Sequence, residues 1–261
     1  MSQHQHRHRQ AGEEPATGSA TGSATRPGGT PSPRPTGTRA RLRAARHWVG
    51  AWVATAPGSY IWLLILTVTA LQFAQLPKRT ANVVLRVDST NLSELFHHPV
   101  AVFILSALWT QTPSLLSYIV LFHLSHIPVE RWVGTARWLI TVASAHVGAT
   151  LISQGTVWLA IRWGADPAHM AHTLDVGVSY GLAGAAGLLG YRFTRPWRWV
   201  YFVVALGYLA AKVATGQTFT DVGHLSALVI GMLFYRFARG RPLWDPPQLV
   251  RALVTRARAR H

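Results

Sequence analysis

The fold is decided by an apolar stretch that opens at residues 175–181 with Asp-Val-Gly-Val-Ser-Tyr-Gly and stays uncharged up to residue 191. A second stretch opens at residues 221–227 with Asp-Val-Gly-His-Leu-Ser-Ala. Each is close to the ~20 residues that cross a bilayer as a helix, and four similar stretches surround them. The sequence therefore predicts an all-α, polytopic membrane protein. Its six transmembrane helices are expected at about residues 55–76, 100–124, 138–161, 176–193, 197–215 and 221–238.

The second of these spans is interrupted by Gln111, Thr112 and Pro113. An alternative interpretation is that residues 100–109 belong to a membrane-embedded loop. The second span then begins near Ser114. The count of six spans is the same in both interpretations.

The charges predict the orientation of the chain. Residues 1–47 carry almost no large apolar side chains and are expected to form a disordered tail, whereas residues 48–242 form the membrane domain and residues 243–261 a second, basic tail. Of the 25 lysines and arginines, 20 lie in the tails and in the loops on one side of the predicted topology. The positive-inside rule then places both termini in the cytoplasm. Of all 25 lysines and arginines, 23 are arginines, so the coding DNA is expected to be GC-rich. Such DNA indicates a bacterial source, and the membrane is then the bacterial plasma membrane.

Composition also excludes several classes of function. The chain has no cysteine, so disulfides, thiolate metal sites and cysteine nucleophiles are absent. The arginines lie in tails and short loops, so no nucleic acid partner is expected. Asp166, His169, His172 and Asp175 recur at a spacing of three, but a solvated or capping turn is favoured over a metal site. No cofactor is expected.

The two opening stretches place a serine and a histidine at the same depth. Ser179 lies four residues after Asp175, and His224 lies three residues after Asp221. With a rise of 1.5 Å per residue, both side chains lie roughly 5 Å from the starts of helices that run in the same direction. At 100° per residue, each shares its side of the helix with small residues that mark helix contacts in lipid. These are Ala183, Ala186 and Gly190 beside Ser179, and Ala227 and Gly231 beside His224.

Ser179 and His224 therefore suit a hydrolytic dyad, in which the imidazole takes the hydroxyl proton and the oxygen attacks a carbonyl. Asp221 then orients or stabilises the imidazole. The alternative is that Asp175 and Asp221 only cap their helices, and that the serine and histidine form a hydrogen bond that only packs the helices. His146 and Gln154 in the third span are expected to bond to a neighbouring helix, with a proton or solute path as the alternative.

These residues resemble the rhomboid family of intramembrane serine proteases. Gly177-Val178-Ser179 and Gly184 match its fourth-helix motif, and His224, Ala227 and Gly231 match its sixth-helix pattern. Residues 128–139 are similar to the family segment Glu-x-x-x-Gly-x-x-Arg-aromatic-Leu. The resemblance implies a six-helix rhomboid-like bundle. It also implies that Ser179 is the nucleophile and His224 the general base that cleave a transmembrane helix, so the partners are the lipid bilayer and transmembrane segments.

The chain departs from the family pattern at three positions. Tyr180 stands where the family has glycine, and its bulk is expected beside the nucleophile and the oxyanion site. Ser114 and Tyr118 stand where the family has the histidine and asparagine that hold the oxyanion. Two functions follow from the resemblance, namely a serine endopeptidase and a proteolytically silent member that binds or scaffolds transmembrane helices. A small transporter is a third, weaker interpretation, because no inverted repeat is evident.

Overall fold

A computed structural model describes residues 38–77, 79–80, 92–110, 112–164, 177–216, 218–248 and 255. The predicted N-terminal tail up to residue 37, the loop with Asp175 and most of the C-terminal tail lie outside the described residues. Within the described residues the regular structure is helical, apart from one isolated bridge between Phe193 and Trp244. The all-α prediction is confirmed.

The helices follow the order of the predicted spans. They are α1 (Thr38–Val53), α2 (Pro57–Ala74), α3 (Leu92–His97), α4 (Pro99–Leu108), α5 (Thr112–Leu121), α6 (Ile127–Val133), α7 (Thr135–Arg162), α8 (Val178–Leu189), α9 (Trp197–Gly216), α10 (Phe219–Leu233) and α11 (Tyr235–Ala238). A π-helical turn, Phe122–His126, joins α5 to α6, and a 3₁₀ turn, Gly190–Arg192, follows α8.

Each predicted span contains at least one of these helices. Helices α2 and α9, of 18 and 20 residues with mean hydropathy 1.4, are long and apolar enough to cross a membrane, whereas α4 and α10 are apolar but shorter. The second predicted span is broken, because α4 ends at Leu108 and α5 begins at Thr112. The expected interruption is confirmed. Among the described residues, two helices are therefore candidate membrane spans, and six crossings stay a prediction.

Helices α7, α8 and α10 pack together through small residues. A Cβ atom added at Gly184 would lie 2.2 Å from the Ala145 Cβ on α7, and one added at Gly231 would lie 2.0 Å from the Gly184 carbonyl oxygen. The backbones of α8 and α10 are therefore in direct contact, which is how helices gain packing energy in lipid. This contact fixes the two helices that carry the predicted serine and histidine.

A buried carboxylate connects α2 to the turn between α6 and α7. Glu130 is 1% exposed, and its Oε1 accepts hydrogen bonds from the Gly58 backbone N–H (2.8 Å) and the Thr135 hydroxyl (2.8 Å). Its Oε2 accepts from the Ser59 N–H at 2.7 Å. Because α2 begins at Pro57, the carboxylate caps the first turn of that helix, where backbone donors lack partners and the helix dipole favours negative charge.

The first residues of the predicted C-terminal tail are folded against the bundle. The Trp244 N–H donates to the Arg192 carbonyl at 2.6 Å, and the Thr194 N–H donates to the Trp244 carbonyl at 2.8 Å. The Arg192 guanidinium also lies 3.6 Å from the centre of the Trp244 ring. Trp244, in the predicted tail, therefore packs on the segment that follows α8.

Candidate active site

A cavity of about 790 Å³ lies between α5, α8, α9 and α10. Five of the residues predicted to form the site line it, namely Ser114, Tyr118, Ser179, Asp221 and His224. The fold therefore brings the predicted nucleophile, the predicted base and the two predicted oxyanion-region positions to one space, although they come from three separate helices.

Ser179 and His224 face this cavity from neighbouring helices. Ser179 is the second residue of α8, and both Ala183 and Ala186, one and two turns later, line the same cavity. This side of α8 therefore faces the cavity, whereas the contact with α7 and α10 is made at Gly184. His224 enters from α10, and both side chains are partly exposed to the cavity. A hydroxyl and an imidazole thus line one cavity from two packed helices, and proton transfer between them stays a prediction.

Tyr180 packs against the imidazole of His224 and is not among the residues that line the cavity. Its ring is fully buried, and its centroid lies 5.3 Å from that of the His224 imidazole at an interplanar angle of 68°. The Tyr180 hydroxyl donates to the Ser153 Oγ on α7 at 3.4 Å. A Cβ atom at Gly223 would lie 2.5 Å from the tyrosine ring, so only glycine leaves space there. The tyrosine therefore packs between helices, and its bulk, which was expected beside the nucleophile, is directed into the core between α7, α8 and α10.

Asp221 lies in the first turn of α10, and its described partners belong to the helix start. The Thr218 Oγ1 accepts a hydrogen bond from the Asp221 N–H at 3.2 Å, and the Thr218 hydroxyl also bonds to the Asp221 carboxylate. The Lys212 Nζ lies 3.7 Å from the Asp221 Oδ1. This geometry is that of a helix cap with a basic neighbour, so direct orientation of His224 by Asp221 stays a prediction.

Helix α5 presents a row of hydroxyl groups to the cavity. Ser114 and Tyr118 were predicted there, and Ser117, which sequence reasoning missed, lines the cavity with them. Residues three and four positions apart share one face of a helix, so the spacing of Ser114, Ser117 and Tyr118 was a usable signal. Lys212, Thr218 and Thr220 add polar groups near Asp221 that the sequence did not single out for the site.

Gly177 positions the start of α8. Its N–H donates to the Ser106 carbonyl of α4 at 3.1 Å, and its carbonyl accepts from the Tyr180 N–H at 3.1 Å. A Cβ atom at this position would lie 2.0 Å from the Cε1 of His146. Glycine is therefore required here by the close approach of an imidazole from α7.

The site can support nucleophilic chemistry by its own side chains. In such chemistry the Ser179 hydroxyl would be the nucleophile, the His224 imidazole the base, and the α5 hydroxyls the donors to a developing negative charge. These roles stay predictions. Lys212 and Asp221 are the charged side chains among the described residues that line the cavity. In the described part of the chain, no three histidine, aspartate or glutamate side chains are grouped as metal ligands would be.

The comparison with known families agrees with this arrangement. A family model described as rhomboid-like protein matches residues 51–243, which span α2 to α11 and include every described residue of the site. No match was found among curated proteins or among solved structures.

Proposed function

The chain belongs to the rhomboid-like protein family, and we propose that it is an intramembrane serine endopeptidase with Ser179 as nucleophile and His224 as general base. The observation that carries this proposal is the single cavity that both side chains line together with the α5 hydroxyls. In this proposal the Ser179 Oγ and a His224 ring nitrogen come within hydrogen-bond reach when a substrate is bound.

The proposed reaction needs only groups that line the cavity and water. His224 takes the proton of the Ser179 hydroxyl as the Oγ attacks the scissile carbonyl, and the carbonyl oxygen becomes an oxyanion. Donors on α5, of which Ser117 and Tyr118 are examples, stabilise that oxyanion. The C–N bond then breaks, and His224 returns the proton to the leaving amine. Water, deprotonated by the same imidazole, hydrolyses the acyl-enzyme and regenerates the serine.

The surroundings of the cavity support a substrate that lies in the membrane. Two of the four helices that border it carry exposed apolar side chains, Leu116 on α5 and Val203 and Val204 on α9. A transmembrane helix can approach such faces without burying a charge, whereas a water-soluble peptide gains nothing from them.

We propose six membrane crossings with both termini in the cytoplasm of a bacterial plasma membrane. In the predicted topology the arginines at positions 131, 137, 192, 195 and 198 fall on the same side as the C-terminal cations, which supports this orientation. Because the chain has no cysteine, single introduced cysteines at exposed positions test it by their labelling with a membrane-impermeant maleimide from either side.

The second candidate function is the binding of transmembrane helices without cleavage. It is favoured by one observation, namely that Ser114 and Tyr118 line the cavity where proteolytic relatives are expected to carry a histidine and an asparagine. Loss of one preorganised oxyanion donor costs about 10²- to 10³-fold in rate, so a cavity without suitable donors would retain helices and not cut them.

Reconstitution with a test helix separates the two functions. The full chain is placed in proteoliposomes with a fluorescent transmembrane peptide that carries small residues at its centre, and cleavage is followed by gel and mass spectrometry. The endopeptidase predicts cleavage that is lost in Ser179→Ala and His224→Ala. It is retained in Ser226→Ala, a matched control whose hydroxyl bonds to the Val222 carbonyl of its own helix at 2.8 Å. Retention of an intact peptide by folded wild type, unchanged in Ser179→Ala, supports the helix-binding function instead.

A further inference from the structure

A buried histidine on α7 connects α4 to the start of α8. His146 is 6% exposed, and its Nδ1 lies 3.1 Å from the Gly177 carbonyl oxygen. Its Nε2 lies 3.0 Å from the Phe103 carbonyl oxygen and 3.4 Å from the Ser106 Oγ. The hydrogen bond to a neighbouring helix that the sequence predicted for His146 is confirmed, and the proposed reaction does not use this imidazole.

The contacts around His146 close a cycle. The imidazole meets the Gly177 carbonyl, the Gly177 N–H donates to the Ser106 carbonyl at 3.1 Å, and the Ser106 side chain returns to the imidazole. The fit is tight, since even a methyl group at Gly177 would lie 2.0 Å from the ring. Three segments, α4, α7 and the first turn of α8, are therefore held by one side chain.

The ring nitrogens of His146 each face a backbone carbonyl, Nδ1 that of Gly177 and Nε2 that of Phe103. A charged imidazole inside a membrane is costly, so the ring is neutral and has one donor and one acceptor. A proton on Nδ1 is donated to the Gly177 carbonyl and leaves Nε2 to accept from the Ser106 hydroxyl, although the Phe103 carbonyl oxygen also lies beside Nε2. A proton on Nε2 is donated to the Phe103 carbonyl and leaves Nδ1 with no donor among its described contacts. Each tautomer therefore satisfies one carbonyl, and the Nδ1–H tautomer also gives the second nitrogen a hydroxyl donor.

The Gly177 carbonyl that contacts His146 lies at the start of α8, the helix that carries Ser179. Gly177 lies two residues before Ser179, and its carbonyl also accepts the Tyr180 N–H at 3.1 Å. We propose that His146 is a positioning residue, whose Nδ1–H bond to the Gly177 carbonyl sets the direction of the Ser179 hydroxyl in the cavity. This inference rests on the proposed endopeptidase function. The second of its two tests, however, gives a result whether or not the chain is an endopeptidase.

Two amide substitutions separate the roles of the two ring nitrogens. The amide nitrogen of asparagine is as many bonds from Cα as the histidine Nδ1, and that of glutamine as many as Nε2. His146→Asn therefore keeps the donor to the Gly177 carbonyl, His146→Gln moves it toward Phe103, and His146→Ala removes it. Thr141→Val is the control on α7, because the buried Thr141 hydroxyl bonds only to the Arg137 carbonyl of its own helix, at 2.9 Å, among its described contacts.

The first test is the rate at which a fluorophosphonate modifies Ser179 in the full chain, with thermal unfolding measured beside it. We expect His146→Asn and Thr141→Val to react within about threefold of wild type, and His146→Gln to react about 10- to 100-fold more slowly, as a nucleophile displaced by about 1 Å does. If His146→Ala does not fold, the asparagine and glutamine pair carries the test. Equal rates for the asparagine and glutamine variants, or a rate loss that follows unfolding temperature alone, overturns the positioning role and leaves the endopeptidase proposal intact.

The second test does not need catalysis. Because the native chain has no cysteine, Ser179→Cys introduces a unique thiol whose alkylation by a small maleimide reports the local exposure of that position. The maleimide is expected to alkylate the Ser179→Cys thiol as fast in the His146→Asn background as with native His146. Alkylation is expected to be several-fold faster in the His146→Gln and His146→Ala backgrounds. If wild type is inert to the fluorophosphonate, the endopeptidase proposal fails and this alkylation series still decides on His146. Identical alkylation rates in all four backgrounds overturn the proposal.

Discussion

Replacing Gly223 by alanine places a methyl group against the ring that supports His224. The added Cβ would lie 2.5 Å from Cε1, Cζ and Oη of Tyr180. Carbon atoms in contact are ~3.5–4.0 Å apart, so the tyrosine ring has to move by about 1 Å. The ring is fully buried and bonded to Ser153 on its far side, which leaves it little space to do so. Overpacking of this kind lowers the free energy of unfolding by about 1–3 kcal/mol.

A double-mutant cycle shows whether the cost comes from this contact. In a Tyr180→Ala background the ring is absent, so Gly223→Ala should lower the free energy of unfolding by less than about 1 kcal/mol. The free energy is measured by titration with a denaturing detergent, followed by tryptophan fluorescence. Gly207→Ala on α9 is the control, because no atom lies within 4 Å of its added Cβ, and it should be neutral or stabilising by up to about 1 kcal/mol. An equal cost of Gly223→Ala in both backgrounds would refute the packing described for Tyr180.

Three further substitutions test the supports of the bundle and of the cavity. Glu130→Ala leaves the Gly58 and Ser59 N–H groups and the Thr135 hydroxyl without their acceptor. It should lower the free energy of unfolding by about 3 kcal/mol or more, measured by the same titration. A loss under about 1 kcal/mol would contradict the role of Glu130 as the cap of α2. Thr218→Ala removes the N-cap of α10 and should cost about 1 kcal/mol, whereas Thr220→Ala, which removes no cap bond among those described, should cost less. Ser117→Ala should slow fluorophosphonate labelling of Ser179 by about 10- to 100-fold without changing the unfolding midpoint, and an unchanged rate would remove Ser117 from the oxyanion site.

The helices were predictable from local pattern. Helix length followed from the apolar stretches, and the break between α4 and α5 followed from the polar residues around position 111. The contact between α8 and α10 was predicted only in part. Gly231 lies on the predicted side of α10, but its partner on α8 is Gly184, whereas the predicted side of α8, with Ala183 and Ala186, lines the cavity.

The position of Tyr180 shows where this reasoning stops. Adjacency to Ser179 in sequence suggested adjacency at the cavity, but consecutive residues of a helix point about 100° apart. The tyrosine therefore faces the core while the serine faces the cavity. Its fit depends on the absence of a side chain at Gly223, on another helix, and such a relation between distant residues is not visible in local pattern.

His146 illustrates a second limit. A buried polar residue in the third span predicted a hydrogen bond to a neighbouring helix, and that bond is present. The partner was not predictable, because it is a backbone carbonyl at Gly177, and every residue carries one. Ser117 was missed for a different reason, since its spacing from Ser114 and Tyr118 places it on their face of α5, but a serine inside a span is commonly bonded to its own helix.

The most direct measurement of the central claim is the identification, by mass spectrometry of the intact chain and of its peptides, of the residue that a fluorophosphonate modifies. We predict one adduct on Ser179 in wild type and in Ser226→Ala, and no adduct in His224→Ala, because the hydroxyl reacts only when the imidazole takes its proton. A folded wild-type chain that carries no adduct, or an adduct on Ser179 that forms as fast without His224, would contradict the pairing of these two side chains.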